Sequence, residues 1–363
     1  MKKALPQAEF FLETMAPEGN RVLWEALTAS EQNGLTLLLG REGEGPLSAA
    51  AQLAEAAEAR EIAAHRLLSP LDPRRVAGIT AAERGFSAYC AGIGEYDGWA
   101  LPNVCEREVN CVGWLSGIPA DLRGQLAELA RCRRRETLQA LRLLRAAVLL
   151  LRENNQKLAD AMDPAKLSRT ARHLFQKECG RGGRGSGREE KRFLTALTGS
   201  GFITCEKTPA LLADRAILID DPFGDAAAQL LGVVREELLA AGQGFISCWS
   251  PLEPDKLAHL ILPDRSLCFL SVSSPIPAPK FPANNRAVHY TRFVSLSRLE
   301  ACRQKIRFTR RMADELLREA AEAYARGAEA RLTAMSLTRQ YLPREFIRRQ
   351  KAQALAMAIE QLE

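Results

Sequence analysis

The stretch "LTLLLGREGEGPLSAAAQL", residues 35–53, decides how the chain is read. A short, fully apolar run, as a buried parallel strand requires, leads into Gly40-Arg41-Glu42-Gly43-Glu44-Gly45, and an alanine-rich segment of high helix propensity follows. Strand, glycine turn and helix together are the setting of a phosphate-cradling loop, G-x-x-x-x-G-K-[ST]. In that loop backbone N–H groups and a lysine hold phosphates, and a hydroxyl holds Mg²⁺. Here the lysine position reads Pro46 and the hydroxyl position Leu47. Proline suits the first turn of a helix, so the helix start survives. What is lost is a backbone donor, a cation and a metal ligand. Glu42 and Glu44 add negative charge to the loop itself. A carboxylate about 4 Å from a phosphate charge opposes binding by roughly 4 kcal/mol at an effective dielectric near 20. Residues 40–47 are therefore predicted to have the shape of a phosphate loop without its chemistry.

Ser69-Pro70-Leu71-Asp72-Pro73 recurs as Ser250-Pro251-Leu252-Glu253-Pro254, at an offset of 181. Glu83-Arg84 recurs as Asp264-Arg265 at the same offset. With small gaps, "TLLLGREGEGPLSAAAQL" lies against "AILIDDPFGDAAAQLL" (216–231), "VNCVGWLS" (109–116) against "VHYTRFVS" (288–295), and "RRETLQALR" (134–142) against "RRMADELLR" (310–318). Repeats of this kind come before other readings. They predict two copies of one α/β domain, residues 1–170 and 171–363, each a three-layer unit around a mainly parallel sheet. Long helices are predicted over 119–160 and 296–336. In the second copy the loop 219–226 keeps Gly224 and puts Asp225 and Ala226 at the lysine and hydroxyl positions, after Asp220 and Asp221. Clustered aspartates suit a divalent cation or the N-terminus of a helix, and capping is the favoured reading.

Composition narrows the class. No apolar run reaches the length of about 18 residues that a membrane span needs. "MKKALPQAEFF" begins with two lysines but has no apolar core of signal-peptide length. Nine cysteines without C-x-x-C, and histidines scattered at 65, 173, 259 and 289, predict reduced thiols, no zinc site and a cytoplasmic protein. The net charge of +6, from 50 basic and 44 acidic residues, reads as a mixed solvated surface. "CGRGGRGSGREEKR" (179–192) is read as a flexible loop with solvated arginines, an RGG-like nucleic-acid segment being the alternative.

The chain resembles the duplicated P-loop ATPases of Gram-positive spore-forming bacteria, sometimes labelled nucleotide kinases, whose loops read like G-R-P-G-T-G-K-S. Gly40, Arg41, Gly43 and Gly45 match that pattern, while Glu42, Glu44, Pro46 and Leu47 depart from it. "LDPRRVAGITAAERG" and "LEPDKLAHLILPDRSL" are similar to the family's D-P-D-S-L-D-x-x-I-I-P-E-L segment. "FFLETMAPEGNRVLWEAL" is similar to its opening, and "AMDPAKLSRTARHLF" to its junction between copies. The resemblance implies two tandem P-loop NTPase-like α/β/α domains with long α-helical extensions, ATP with Mg²⁺ as ancestral ligand, and a cytoplasmic location. It places Gly40, Arg41, Gly43, Gly45 and Gly224 in the nucleotide-binding loops. Glu83 and Asp264 match the acid of the family's P-E pair, as catalytic groups or as strand-edge partners of Arg84 and Arg265.

Because the departures fall on the chemistry in both copies, the expectation is a pseudo-ATPase. It would be a binding or scaffold protein with an unidentified protein partner, weak or absent nucleotide binding and little or no hydrolysis. No catalytic residue and no metal ligand is assigned. One alternative is an active nucleotide hydrolase or kinase that recruits a basic residue such as Arg41, Arg134 or Arg310. Another is a nucleic-acid binder using the arginine-rich helices.

Overall fold

The computed structural model describes residues 7–27, 34–91, 105–113, 115–180, 188–272 and 276–363. The chain begins with β1 (Glu9–Phe11), a hairpin of β2 (Glu13–Ala16) and β3 (Gly19–Val22), β4 (Leu35–Leu38) and α1 (Glu44–Ala59). Strands β5 (His65–Leu68), β6 (Val76–Ala81), β7 (Phe86–Tyr89) and β8 (Glu106–Glu108) follow, then helices α2 (Ala120–Ala161) and α3 (Pro164–Glu178). The sequence of elements then recurs: β9 (Glu189–Arg192), a hairpin of β10 (Thr195–Thr198) and β11 (Gly201–Thr204), the short α4 (Thr208–Leu212), β12 (Arg215–Asp220) and α5 (Asp225–Ala240). It continues through β13 (Phe245–Trp249), β14 (Leu257–Leu262), β15 (Leu267–Val272) and β16 (Asn284–His289), and ends in α6 (Leu296–Glu300), α7 (Arg303–Thr338) and α8 (Arg344–Leu362).

The strands form two six-stranded sheets, ordered β1-β5-β6-β7-β4-β8 and β9-β13-β14-β15-β12-β16. The two orders correspond strand for strand. The sense corresponds too: β6 and β14 run against both neighbours, and every other pairing is parallel. The sheets are therefore mixed, and the antiparallel strand has a local cause. The S-P-L-acid-P segment is the turn that reverses the chain before it. The Ser69 hydroxyl accepts the N–H groups of Leu71 and Asp72, at 3.1 and 3.2 Å, and Ser250 does the same for Leu252 and Glu253, at 3.3 Å each. A hydroxyl that bonds its own backbone two residues on and a proline with fixed φ each favour such a turn.

The strands that precede the two loops, each one in from a sheet edge, are buried along their apolar runs, β4 from Leu35 to Leu38 and β12 from Ala216 to Ile219. The long helices lie antiparallel against each other. Ala140, Leu144 and Ala147 of α2 share a buried cluster with Ala313, Leu317 and Ala320 of α7. The direction is fixed by Glu136 meeting Arg326 at 2.9 Å and Asn154 meeting Thr309 at 2.6 Å. At 1.5 Å per residue α2 is roughly 60 Å long. The helix predicted over 296–336 is broken at Ala301 and Cys302, between α6 and α7.

The helices that follow the long pair are exchanged. Leu167, Ala171 and Leu174 of α3 bury against Ala227, Leu230 and Val234 of α5, under the second sheet. Ala354, Ala358 and Leu362 of α8 join the core that contains Leu53, Ala54 and Ala57 of α1, under the first. The two halves also meet through backbone: Phe11 and Phe193 exchange N–H···O bonds of 2.8 and 2.9 Å. Position 170/171, the predicted boundary, lies inside α3.

The segment "EEKR", read from sequence as part of a loop, is instead the edge strand β9, paired parallel with β13. Its Arg192 is buried and donates to Glu190 at 3.0 Å. The Gly/Arg-rich residues 181–187 lie outside the described residues. Among the described residues no helix is long and apolar enough to cross a membrane.

Candidate functional site

In the first sheet β4 lies between β7 and β8, parallel to both. From β4 the chain crosses to β5 on one side, and from β7 it crosses to β8 on the other. Connections that diverge from adjacent parallel strands open a crevice at the strands' carboxyl ends. The glycine loop lies at that crevice, a turn between a buried strand and a helix, as its sequence predicts.

Its three glycines meet different demands. Gly40 has φ +90°, a region that favours glycine. Gly45 sits so close to the segment after β8 that a Cβ there would lie 2.0 Å from the Cys111 carbonyl oxygen. Gly43 is the N-cap of α1, extended, and a Cβ on it would meet nothing nearer than 3.7 Å. Pro46 is the third residue of α1 and is buried.

The loop's carboxylates are taken up by the protein itself. Glu44 accepts two hydrogen bonds from Arg75, at 2.9 and 3.2 Å. Glu42 accepts the Ser69 hydroxyl. Burial pushes the Glu42 carboxyl above its ordinary range, opposed by the Ser69 hydrogen bond and by the charges of Arg331, Arg133 and Arg75. Arg331, on α7, also donates to the Glu42 carbonyl oxygen at 2.9 Å. Charge repulsion at the loop is therefore smaller than the sequence implies, since Glu44 already has its cation.

Over the loop lies a cavity of about 760 Å³, roofed by α2 and α7. Leu126, Leu129 and Leu138 of α2 and Met335 of α7 line it, together with Arg41, Arg133, Arg134 and Arg331. Arg41 and Arg134, candidates from the sequence, are thus brought together. Sequence reasoning does not single out Arg133 or Arg331, and it marks Ser69 only as part of the repeat; Arg331 comes from the other half of the chain.

The second loop is closed. Asp221 is fully buried, and its carboxylate accepts the N–H groups of Phe223 and Ala227, at 2.9 Å each. Burial raises the Asp221 carboxyl, and the N–H groups of Ala227, Phe223 and Gly224 pull it back down. A carboxylate of the chain thus takes up the backbone N–H groups that this loop and the start of α5 would otherwise offer to an anion. Gly224, at φ +82°, caps α5. Asp225 pairs with Lys256 at 3.0 Å, as Glu44 pairs with Arg75 in the first half, and Lys256 also holds Glu253 at 3.0 Å. Asp220 meets His289 at 2.7 Å. The aspartates thus serve separate partners, and among the described residues no group of three metal-ligating side chains converges. Arg310 donates to the Pro222 carbonyl oxygen at 2.9 Å, so the third basic candidate belongs to this loop and not to the cavity. The space beside it is about 80 Å³.

Glu83 and Asp264 lie in the turns that lead into β7 and β15. Leu35 donates to the Gly85 carbonyl at 2.8 Å, which puts Glu83 near the start of β4, at the opposite end of the strand from the loop. Neither acid can reach a ligand at the glycine loops. Arg84 donates to the Glu363 carbonyl at 3.1 Å.

Comparison with protein-family models, with curated proteins and with solved structures finds no match to this chain.

Proposed function

We propose that this chain is a tandem-duplicated protein derived from the P-loop fold, and that it has kept binding and lost phosphoryl transfer. The duplication is supported by the matching strand orders, the repeated serine turn and the repeated cation–acid pair, Arg75–Glu44 and Lys256–Asp225. The observation that carries the loss of chemistry is Asp221, whose buried carboxylate takes up the backbone N–H groups of the second loop. At the first loop Pro46 and Leu47 supply neither a cation for the β/γ-phosphates nor a ligand for Mg²⁺, and phosphoryl transfer depends on both. The protein acts as a binding or scaffold protein in the cytoplasm, a location supported by nine free thiols.

The experiment is an ATPase assay of the wild type beside Pro46→Lys/Leu47→Ser and Arg134→Ala variants. The wild type is expected to show no Mg²⁺-dependent turnover. The second reading, an active hydrolase, draws on Arg134, which lines the cavity over the first loop. Turnover by the wild type that disappears in Arg134→Ala would establish that reading and remove the first.

A further inference from the structure

The lining of the cavity over the first loop is of two kinds. Leucines of α2 and Met335 of α7 are apolar, and arginines stand on the same two helices and on the loop. Arg331 is anchored on the loop by its bond to Glu42, and the charge of Arg133 acts on the same residue. Arg134, one position further along α2, makes no hydrogen bond or ion pair among the described residues.

We propose that this cavity binds an organic anion with an apolar body and a single carboxylate or phosphate-monoester head. The volume of about 760 Å³ falls within the range of small-molecule sites, which are mostly apolar with a few converging polar groups. The charge balance selects an anion: Arg133 and Arg134 line the cavity with no ion pair among the described residues, whereas Glu44 is paired with Arg75 and Glu42 accepts the Ser69 hydroxyl. Guanidinium groups recognise planar and tetrahedral oxyanions through paired hydrogen bonds, so one head group can be held without a metal. A triphosphate would bring several charges into a loop without the lysine, whereas a single head leaves the leucines of α2 and Met335 to bind the rest. The second loop makes the contrast. There Asn155 of α2 faces the Phe223 carbonyl, Asp221 takes up the loop's N–H groups, and the remaining space is about 80 Å³. The inference rests on the reading of the first loop as a binding site, and it names the class of ligand.

The test is fluorescence titration of the full chain with 8-anilinonaphthalene-1-sulfonate, an amphipathic anion. Displacement is then measured with dodecanoate, dodecyl phosphate, dodecyltrimethylammonium and ATP·Mg²⁺. One site is expected, displaced by the two dodecyl anions and not by the cation, and the relative potency of the two anions identifies the head group. Arg134→Ala should weaken binding by at least about fivefold, as loss of a charge-assisted contact does. Ala334→Trp, which fills the cavity, should abolish it. Equal displacement by the cation, or undiminished binding in Arg134→Ala, overturns the proposal. Displacement by ATP·Mg²⁺ with the dodecyl anions inactive overturns it as well and identifies a nucleotide site. Turnover in the ATPase assay, a separate result, would remove only the non-hydrolytic reading. Arg134 is exposed, so its variant keeps the test decisive even if Ala334→Trp fails to fold.

Discussion

Gly43 and Gly45 stand two residues apart in one loop and answer to different constraints. At Gly45 any side chain meets the Cys111 carbonyl, and backbone cannot swing aside as a flexible side chain would. At Gly43 there is room, the backbone is extended, and the position is an N-cap, where serine is favoured. Gly45→Ser should therefore cost about 1–3 kcal/mol, the range of overpacked sites. Gly43→Ser should stay within about 0.5 kcal/mol of wild type or gain slightly. Urea denaturation of the two variants checks this, and equal losses would show that the loop does not pack on the segment after β8. In sequence the two glycines look alike. Only the approach of the chain around Cys111, more than sixty residues later, tells them apart.

At the scale of elements, the start of α5 is held by the Asp221 carboxylate, and the residue as far before the start of α1 is Gly40. Asp221→Gly should cost about 1–2 kcal/mol, the worth of a strong cap. It should also free the N–H groups of Phe223 and Ala227, so that sulfate raises the melting temperature of the variant and not of the wild type. Thermal melts with and without sulfate measure both effects, and an unaffected variant would show that those groups do not take anions. The elements were unequally legible. Helix α2 was readable to within one residue at each end, because Leu, Ala and Arg recur there at helical spacing over many turns. The break at Ala301–Cys302 carries no proline or glycine to announce it. Strand β9 reads "EEKR", without apolar alternation, and its place at a sheet edge is set by backbone pairing. The serine turn was visible as a repeat and not as a reversal, although Ser-Pro beside an acid is a turn signal. The glycine loop could be read in outline. The cavity above it could not, because its roof needs Arg331 and Met335 from a helix whose packing partner the sequence does not name.

For the whole molecule the exchanged helices set the terms. α3 follows the first long helix and completes the core under the second sheet, while α8 follows the second long helix and completes the core under the first. Neither half contains all of its own core. Residues 1–178 and 179–363 produced as separate chains should each aggregate or stay unfolded, whereas co-expression should return a folded complex of the two. Circular dichroism and size-exclusion chromatography decide this, and a cooperatively melting 1–178 fragment would show that α8 is dispensable. The exchange also has a consequence in time. α1 leaves the ribosome roughly 285 residues before α8 begins. At about 5–20 residues per second that interval is on the order of 15–60 s. Throughout it Leu53, Ala54 and Ala57 lack their final cover. The nascent first half therefore waits on α8, and its core closes only once that helix has been translated.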